Sequence, residues 1–284
     1  MKNFLIVVML NIATYSFAQY GVTSYGTNAS ISGNFNSFFG EAAGGPYSSN
    51  SSFVGYYAGD RDTGGGSTFI GAYSGTYNRY GQYNTFLGSR SGYNNDFGGY
   101  NLFLGSYSGH NNVSGNNNVF IGYKSGYSET SSNKLYIENS DSTIPLIYGK
   151  FDTDQIGLNT INIPLGYTLA VKDKIITEEL RVRTYANWPD HVFENDYKLP
   201  DLTEVEKHIQ TNGHLKDIPS AKNVRDNGFL IGDMNSRLLK KIEELTLYTI
   251  AQQKALDEQK QKNKELEHRL LLLEALVQSK NKKK

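Results

Sequence analysis

Apolar positions recur along this chain with two different periods. Between about residues 34 and 130, a phenylalanine followed by an apolar residue and a glycine returns at intervals of 15, 16, 17, 17 and 17 residues. The phenylalanines are Phe38, Phe53, Phe69, Phe86, Phe103 and Phe120, and the glycines two residues on are Gly40, Gly55, Gly71, Gly88, Gly105 and Gly122. A second glycine follows each of these by four, from Gly44 to Gly126, with Ser or Ala before it. Such self-similarity marks a repeat architecture. The unit is too short for two helices, and a glycine about every five residues would destabilise any single one. Each unit therefore reads as one coil of a β-solenoid, a short strand closed by glycine turns that supply positive φ. Six coils are expected in a head spanning 19–132, stacked about 4.8 Å apart with Phe above Phe.

Neighbouring residues of a strand point to opposite faces. If Phe lies inside the coil, the Val, Ile or Leu after it looks outward and calls for a covering surface, most simply another copy of the chain. The recurrent Asn36, Asn84, Asn101 and Asn118 suit an internal amide ladder. From residue 133 the glycine content falls, and short β-branched stretches at 134–138, 144–148, 155–158 and 168–182 predict a β neck over 133–187 with little core of its own. A small mixed module follows over 188–232. In it, Pro200-Asp201 opens a helix over 202–211 that Asn212-Gly213 stops, and Ser220 caps another that Gly228 ends.

The second period is heptad. Leu238, Leu245, Leu266 and Leu273, with Gln252 and Gln259, fall at one core position. Ile242, Leu256, Leu270 and Val277, with Thr249 and Asn263, fall at the other. Six heptads predict a coiled-coil helix over 233–279, ahead of a basic tail at 280–284. The expected fold is thus mainly β with a C-terminal α part: solenoid head, β neck and long coiled coil.

Composition removes most chemistries. The chain has no Cys, so disulfides, thiolate metal sites and thiol nucleophiles are excluded. Its 28 basic and 28 acidic residues balance, which gives no field to draw nucleic acid. Lys2, the apolar run from Phe4 to Leu10 and the small Ser16 and Ala18 read as a signal peptide over 1–18, and no later stretch is expected to span a membrane. Asp60, Asp62 and Asp96 are too few for calcium-binding coils, and the residue before each Phe is too varied for an ice-binding array. Ser220-Ala221-Lys222 reads as a helix cap in preference to a nucleophile pair, and His208 and His214 have no metal-ligand spacing. No catalytic residue, cofactor or metal is expected. Tyr73, Tyr77, Tyr80, Tyr83, Tyr93, Tyr100, Tyr107, Tyr123 and Tyr127 suit either a binding face or ladder stacking within the solenoid.

The Asn-x-Phe-apolar-Gly-x-x-Ser-Gly copies over about 34–130 resemble the head repeats of YadA-type trimeric autotransporter adhesins, which are parallel β-rolls packed as trimers. The family's C-terminal β-barrel anchor is not expected here. Residues 188–250, with Trp188-Pro189-Asp190, Gly213-His214-Leu215, Ile218-Pro219-Ser220 and Lys241-Ile242-Glu243-Glu244-Leu245, resemble a C-terminal module of secreted, tail-fibre-like proteins of Bacteroidetes-type bacteria. This part is also similar to the intramolecular chaperone domains of phage tail spikes, although it has no Ser-Asp-x-Arg-Leu-Lys element for self-cleavage. The resemblances imply an exported homotrimeric surface adhesin that binds a host or matrix glycan or protein by multivalent contact. The alternative is a phage-type tail fibre whose C-terminal part drives trimer assembly; an exporting N-terminus argues against it.

Overall fold

The computed structural model describes residues 21–183 and 188–281, with side chains to 278. The expected signal peptide and the last residues of the basic tail lie outside the described residues. The chain divides into two compact units, Met1–Ile176 and Thr177–Lys284.

In the first unit, eleven short strands pair in strict chain order into one sheet. The first eight are parallel: β1 (Thr23–Tyr25), β2 (Ser37–Phe39), β3 (Ser52–Val54), β4 (Thr68–Ile70), β5 (Thr85–Leu87), β6 (Leu102–Leu104), β7 (Val119–Ile121) and β8 (Lys134–Ile137). Each is reached by one circuit of the chain, which makes a β-solenoid. The six repeat phenylalanines lie in register and are wholly buried (0% exposed). Their rings stack with centroids 4.6 to 5.1 Å apart and planes within 14°. That spacing is the strand separation itself, so the rings of successive coils meet face to face along the core.

The expectation of six coils is corrected to about nine turns. The additional ones keep the backbone pairing but lose the Phe that signalled it. Ser24 pairs in register with Phe38 at one end, and Tyr136 with Phe120 at the other. The expected separate neck continues the same sheet. β9 (Ile147–Lys150) runs antiparallel to β8, β10 (Gln155–Leu158) antiparallel to β9, and β11 (Leu169–Val171) parallel to β10. Tyr136 meets Phe120 edge-on at 79° and Tyr148 meets Tyr136 at 89°, so the flat ring stack ends at Phe120, one strand before the winding reverses.

The coils turn at columns of left-handed residues. The glycine two after Phe has φ between 114° and 140° in all six copies. The next left-handed column is not glycine: Tyr57, Tyr73, Arg90, Tyr107 and Lys124 hold φ from 54° to 60°. Their backbones are tied to the preceding coil, as in Tyr73 N–H to Tyr56 C=O at 2.7 Å and Tyr107 N–H to Ser89 C=O at 2.9 Å. The Ser of the repeat has a specific task. Ser74, Ser91, Ser108 and Ser125 are buried and donate to the carbonyls of Phe86, Phe103, Phe120 and Tyr136 in the next coil, at 3.0 to 3.2 Å.

In the second unit a 3-10 turn (Pro189–Phe193) leads to α1 (Leu202–Asn212), α2 (Ala221–Asn227) and the 51-residue α3 (Ile231–Asn281). Both short helices begin and end as the sequence predicts. Asp201 accepts from Thr203 N–H and Ser220 from Asn223 N–H, while Gly213 (φ 73°) and Gly228 (φ 68°) close them. The module packs on one side of α3, where Tyr197 hydroxyl donates to Glu244 and Tyr248 hydroxyl to the Pro200 carbonyl. Lys240 and Lys241 pair with Asp217 at 3.5 and 3.6 Å.

Candidate functional site

Three features of the two units bear on function: an aromatic ladder, a buried polar column and a bare helix stripe with a groove at its head.

The tyrosines separate into two groups. Tyr57 and Tyr73 stack at 5.8 Å, and Tyr93, His110 and Tyr127 form a second stack at 5.1 and 5.0 Å. Arg90 sits 5.4 Å from both the Tyr73 and Tyr107 rings and donates to the Tyr107 hydroxyl. Arg61 lies 4.6 Å over Tyr77, and Lys124 lies near Tyr123 and Tyr127. Burial holds the His110 imidazole below its usual range. In these two stacks ring faces are spent on one another, so the ladder stiffens the solenoid and turns edges and hydroxyls outward. Tyr80 with Phe97 and Tyr83 with Tyr100 are different. They stack in pairs at 5.1 Å, and all four side chains remain at least 55% exposed. Arg90 and His110 were not singled out from sequence; each occupies a repeat position where neighbouring coils carry Tyr.

Beside the rings runs a column of amides that sequence reasoning missed. Asp62, Asn78, Asn95 and Asn112 each stand three residues after the second glycine of a repeat, and all are buried to 0% exposure. Asn78 Nδ2 donates to Asp62 Oδ1 at 2.6 Å, while Asp62 Oδ2 has no partner. Of the expected stripe, Asn84, Asn101 and Asn118 form a neighbouring ladder, whereas Asn36 is separated from them by Ser51 and Ser67, whose hydroxyls take the place of the amide in the two coils between. Asn101 N–H and Asn118 N–H donate to the side-chain oxygens of Asn84 and Asn101 at 2.9 Å.

Asp62 is the one carboxylate among these four fully buried residues. Burial pushes its carboxyl up to about 6 from the ordinary 3.8, although the hydrogen bond from Asn78 pulls the other way. The folded chain therefore keeps this proton over a range where the unfolded chain has released it. Its contribution to stability is full below about pH 4, is lost as pH rises from about 4 to 6, and stays lost above. Asp62→Asn is expected to flatten that slope and to add about 2–3 kcal/mol at neutral pH, since holding the proton from 3.8 up to about 6 is worth roughly 1.36 kcal/mol per pH unit. Urea unfolding of both proteins from pH 4 to 7.5 measures it. Parent stability that does not fall over this interval contradicts the assignment.

On α3 the module covers the side bearing Glu243 and Glu244, which are buried. The heptad positions are left largely open: Leu238, Ile242, Leu245, Leu256, Leu266, Leu270, Leu273 and Val277 are 45 to 63% exposed. At the head of this stripe lies a groove of about 580 Å³. One wall is Leu202, Val205 and Leu215 from the module, and the other is Leu238, Ile242 and Leu245 from α3. His208 also lines it, and its Nε2 is buried without a hydrogen-bond partner. The groove brings together residues of the module and heptad residues 23 to 43 positions further along the chain, which no local pattern reveals.

Among the described residues, no cluster of three His, Cys, Asp or Glu could hold a metal, and no helix is long and apolar enough to cross a membrane. Compared with known protein families, curated proteins and solved structures, the chain matches none.

Proposed function

We propose that this chain is exported, assembles as a homotrimer, and serves as a surface adhesin or structural interaction protein that acts by multivalent contact without catalytic turnover. The carrying observation is the stripe on α3. Eight large aliphatic side chains at strict heptad spacing stay about half exposed or more along a 51-residue helix. Leaving them in water forfeits about 25 cal/mol per Å² of apolar surface. Helices of identical pattern are the natural cover.

The solenoid unit supports the same reading. The residue after five of the six repeat Phe, in Phe39, Val54, Ile70, Leu87 and Leu104, forms an outward apolar column 38 to 42% exposed. The resemblance of the repeat to trimeric adhesin heads points the same way. The exposed pairs Tyr80 with Phe97 and Tyr83 with Tyr100 offer rigid apolar area with polar tips, which suits a glycan or protein on a host or matrix surface.

Replacing Leu266 and Leu270 with Asp places six carboxylates in a trimeric seam, at a cost of several kcal/mol. Light scattering is expected to find trimers for the parent and monomers for this variant. Retention of both on glycan arrays and matrix-protein-coated surfaces then tests the function. Three linked heads should outlast one by about two to four orders of magnitude. A monomeric parent, equal retention, or release of a processed product would each reject the proposal.

A further inference from the structure

The heptad stripe enters the groove at its head. Leu238, Ile242 and Leu245 are at once the first three heptad positions and one wall of the groove, whereas Leu202, Val205 and Leu215 of the opposite wall belong to no heptad. A helix that covers the stripe from Val277 back towards Leu238 must therefore run between these walls. The flanking charges say which helix that is. Taking Leu238 and Ile242 as positions d and a, Lys262 and Arg269 fall at g, and Glu267 and Glu274 at e. Parallel, in-register copies set each g residue against the e residue five positions on in the neighbour, so that Lys262 meets Glu267 and Arg269 meets Glu274. An antiparallel pairing sets g against g, cation against cation. Within one chain Arg269 reaches Glu265 at 3.0 Å, a surface contact it can exchange at small cost.

We infer that the groove between α1 and the head of α3 is a socket for the α3 helix of a second copy, lying parallel and in register. The small module then acts as a collar. Each copy's α1 wall clasps a neighbour's helix, which fixes register at the N-terminal end of the coiled coil, one of the two ends where the seam is apolar. This end matters because Thr249, Gln252, Gln259 and Asn263 make the middle of the seam polar. Polar core positions weaken a coiled coil while specifying its register and strand number. The inference rests on the self-association proposed above and adds to it the residues outside the heptads.

The absence of Cys makes the test site-specific. Full-length Val205→Cys carrying a benzophenone label is mixed as ¹⁵N-labelled and unlabelled chains, reassociated, irradiated and digested. Cross-linked peptides of mixed isotope joining position 205 to the 238–252 segment are the expected result. A second label at Lys216→Cys, on the groove's rim, guards against disruption by the probe. As an independent reading, Leu215→Asp is expected to raise the concentration for half-dissociation by at least about tenfold while the far-ultraviolet dichroism of α3 persists. Same-isotope links alone, in a protein that light scattering shows to be oligomeric, overturn the socket and leave the oligomer standing. A monomeric parent removes the oligomer and the socket with it. Native mass spectrometry that finds one small apolar molecule per chain, without mixed-isotope links, assigns the groove to that ligand and overturns the inference.

Discussion

Phe103→Ala is expected to destabilise the solenoid by about 3–5 kcal/mol, the cost of removing a large ring from a core that cannot close over the gap. Phe103 is wholly buried between Phe86 and Phe120, with centroids 4.7 and 4.8 Å away. Its loss removes two ring contacts of about 0.5–1.5 kcal/mol each in addition to the buried area. The coils above and below are held apart by their own backbone pairing, so relaxation into the cavity is opposed along the whole sheet. Leu104→Ala on the same strand is the comparison, since Leu104 points outward and is part exposed. Its loss in denaturant unfolding should be less than half as large. Equal losses would mean that the inside and outside of the strand have been exchanged.

Gly105→Ala is expected to have a comparable effect by another route. At φ 135° an L side chain is strained by about 1–3 kcal/mol whatever the space around it. A Cβ there would also stand 2.3 Å from the carbonyl oxygen and 2.6 Å from the carbonyl carbon of Gly122 in the next coil. Neither atom can yield, because both belong to backbone in register, and overpacking of this kind adds about 1–3 kcal/mol. Since each coil leans only on its neighbours, the defect should divide the array into two segments that melt separately. Differential scanning calorimetry with limited proteolysis checks this. Gly166→Ala has a comparable φ problem, at 88°, but no atom within 4 Å. It should cost the strain alone. Identical behaviour of the two variants would dismiss the steric account.

Much of this could be read along the chain because the interactions are local or periodic. The Phe and Gly spacing announced a solenoid, since a coil can stack only if chemically alike residues recur at each level. Caps such as Asp201 and Ser220 act within three residues and were legible for the same reason. The heptads of α3 specified a helix with one apolar seam. The number of turns was another matter. At β1 and β8 the backbone pairing persists after Ser24 and Tyr136 have replaced Phe, and hydrogen bonds between backbones carry no residue signature. The strands from 134 to 158 read as a neck because their composition changes, yet the sheet edge left by β7 accepts any extended chain.

Tertiary structure alone decided what depends on closing a circuit. The coil buries Asp62 beside Asn78 and so turns an ordinary carboxylate into one that holds its proton up to about pH 6. It stacks Tyr93, His110 and Tyr127 face to face, which assigns them to the ladder and leaves Tyr83 and Tyr100 outside. Folding of the second unit likewise brings Val205 opposite Ile242 across a groove. Periodicity in the sequence determined which residues repeat; only the path of the backbone between repeats determined which of them touch, because that path fixes distance and access to water.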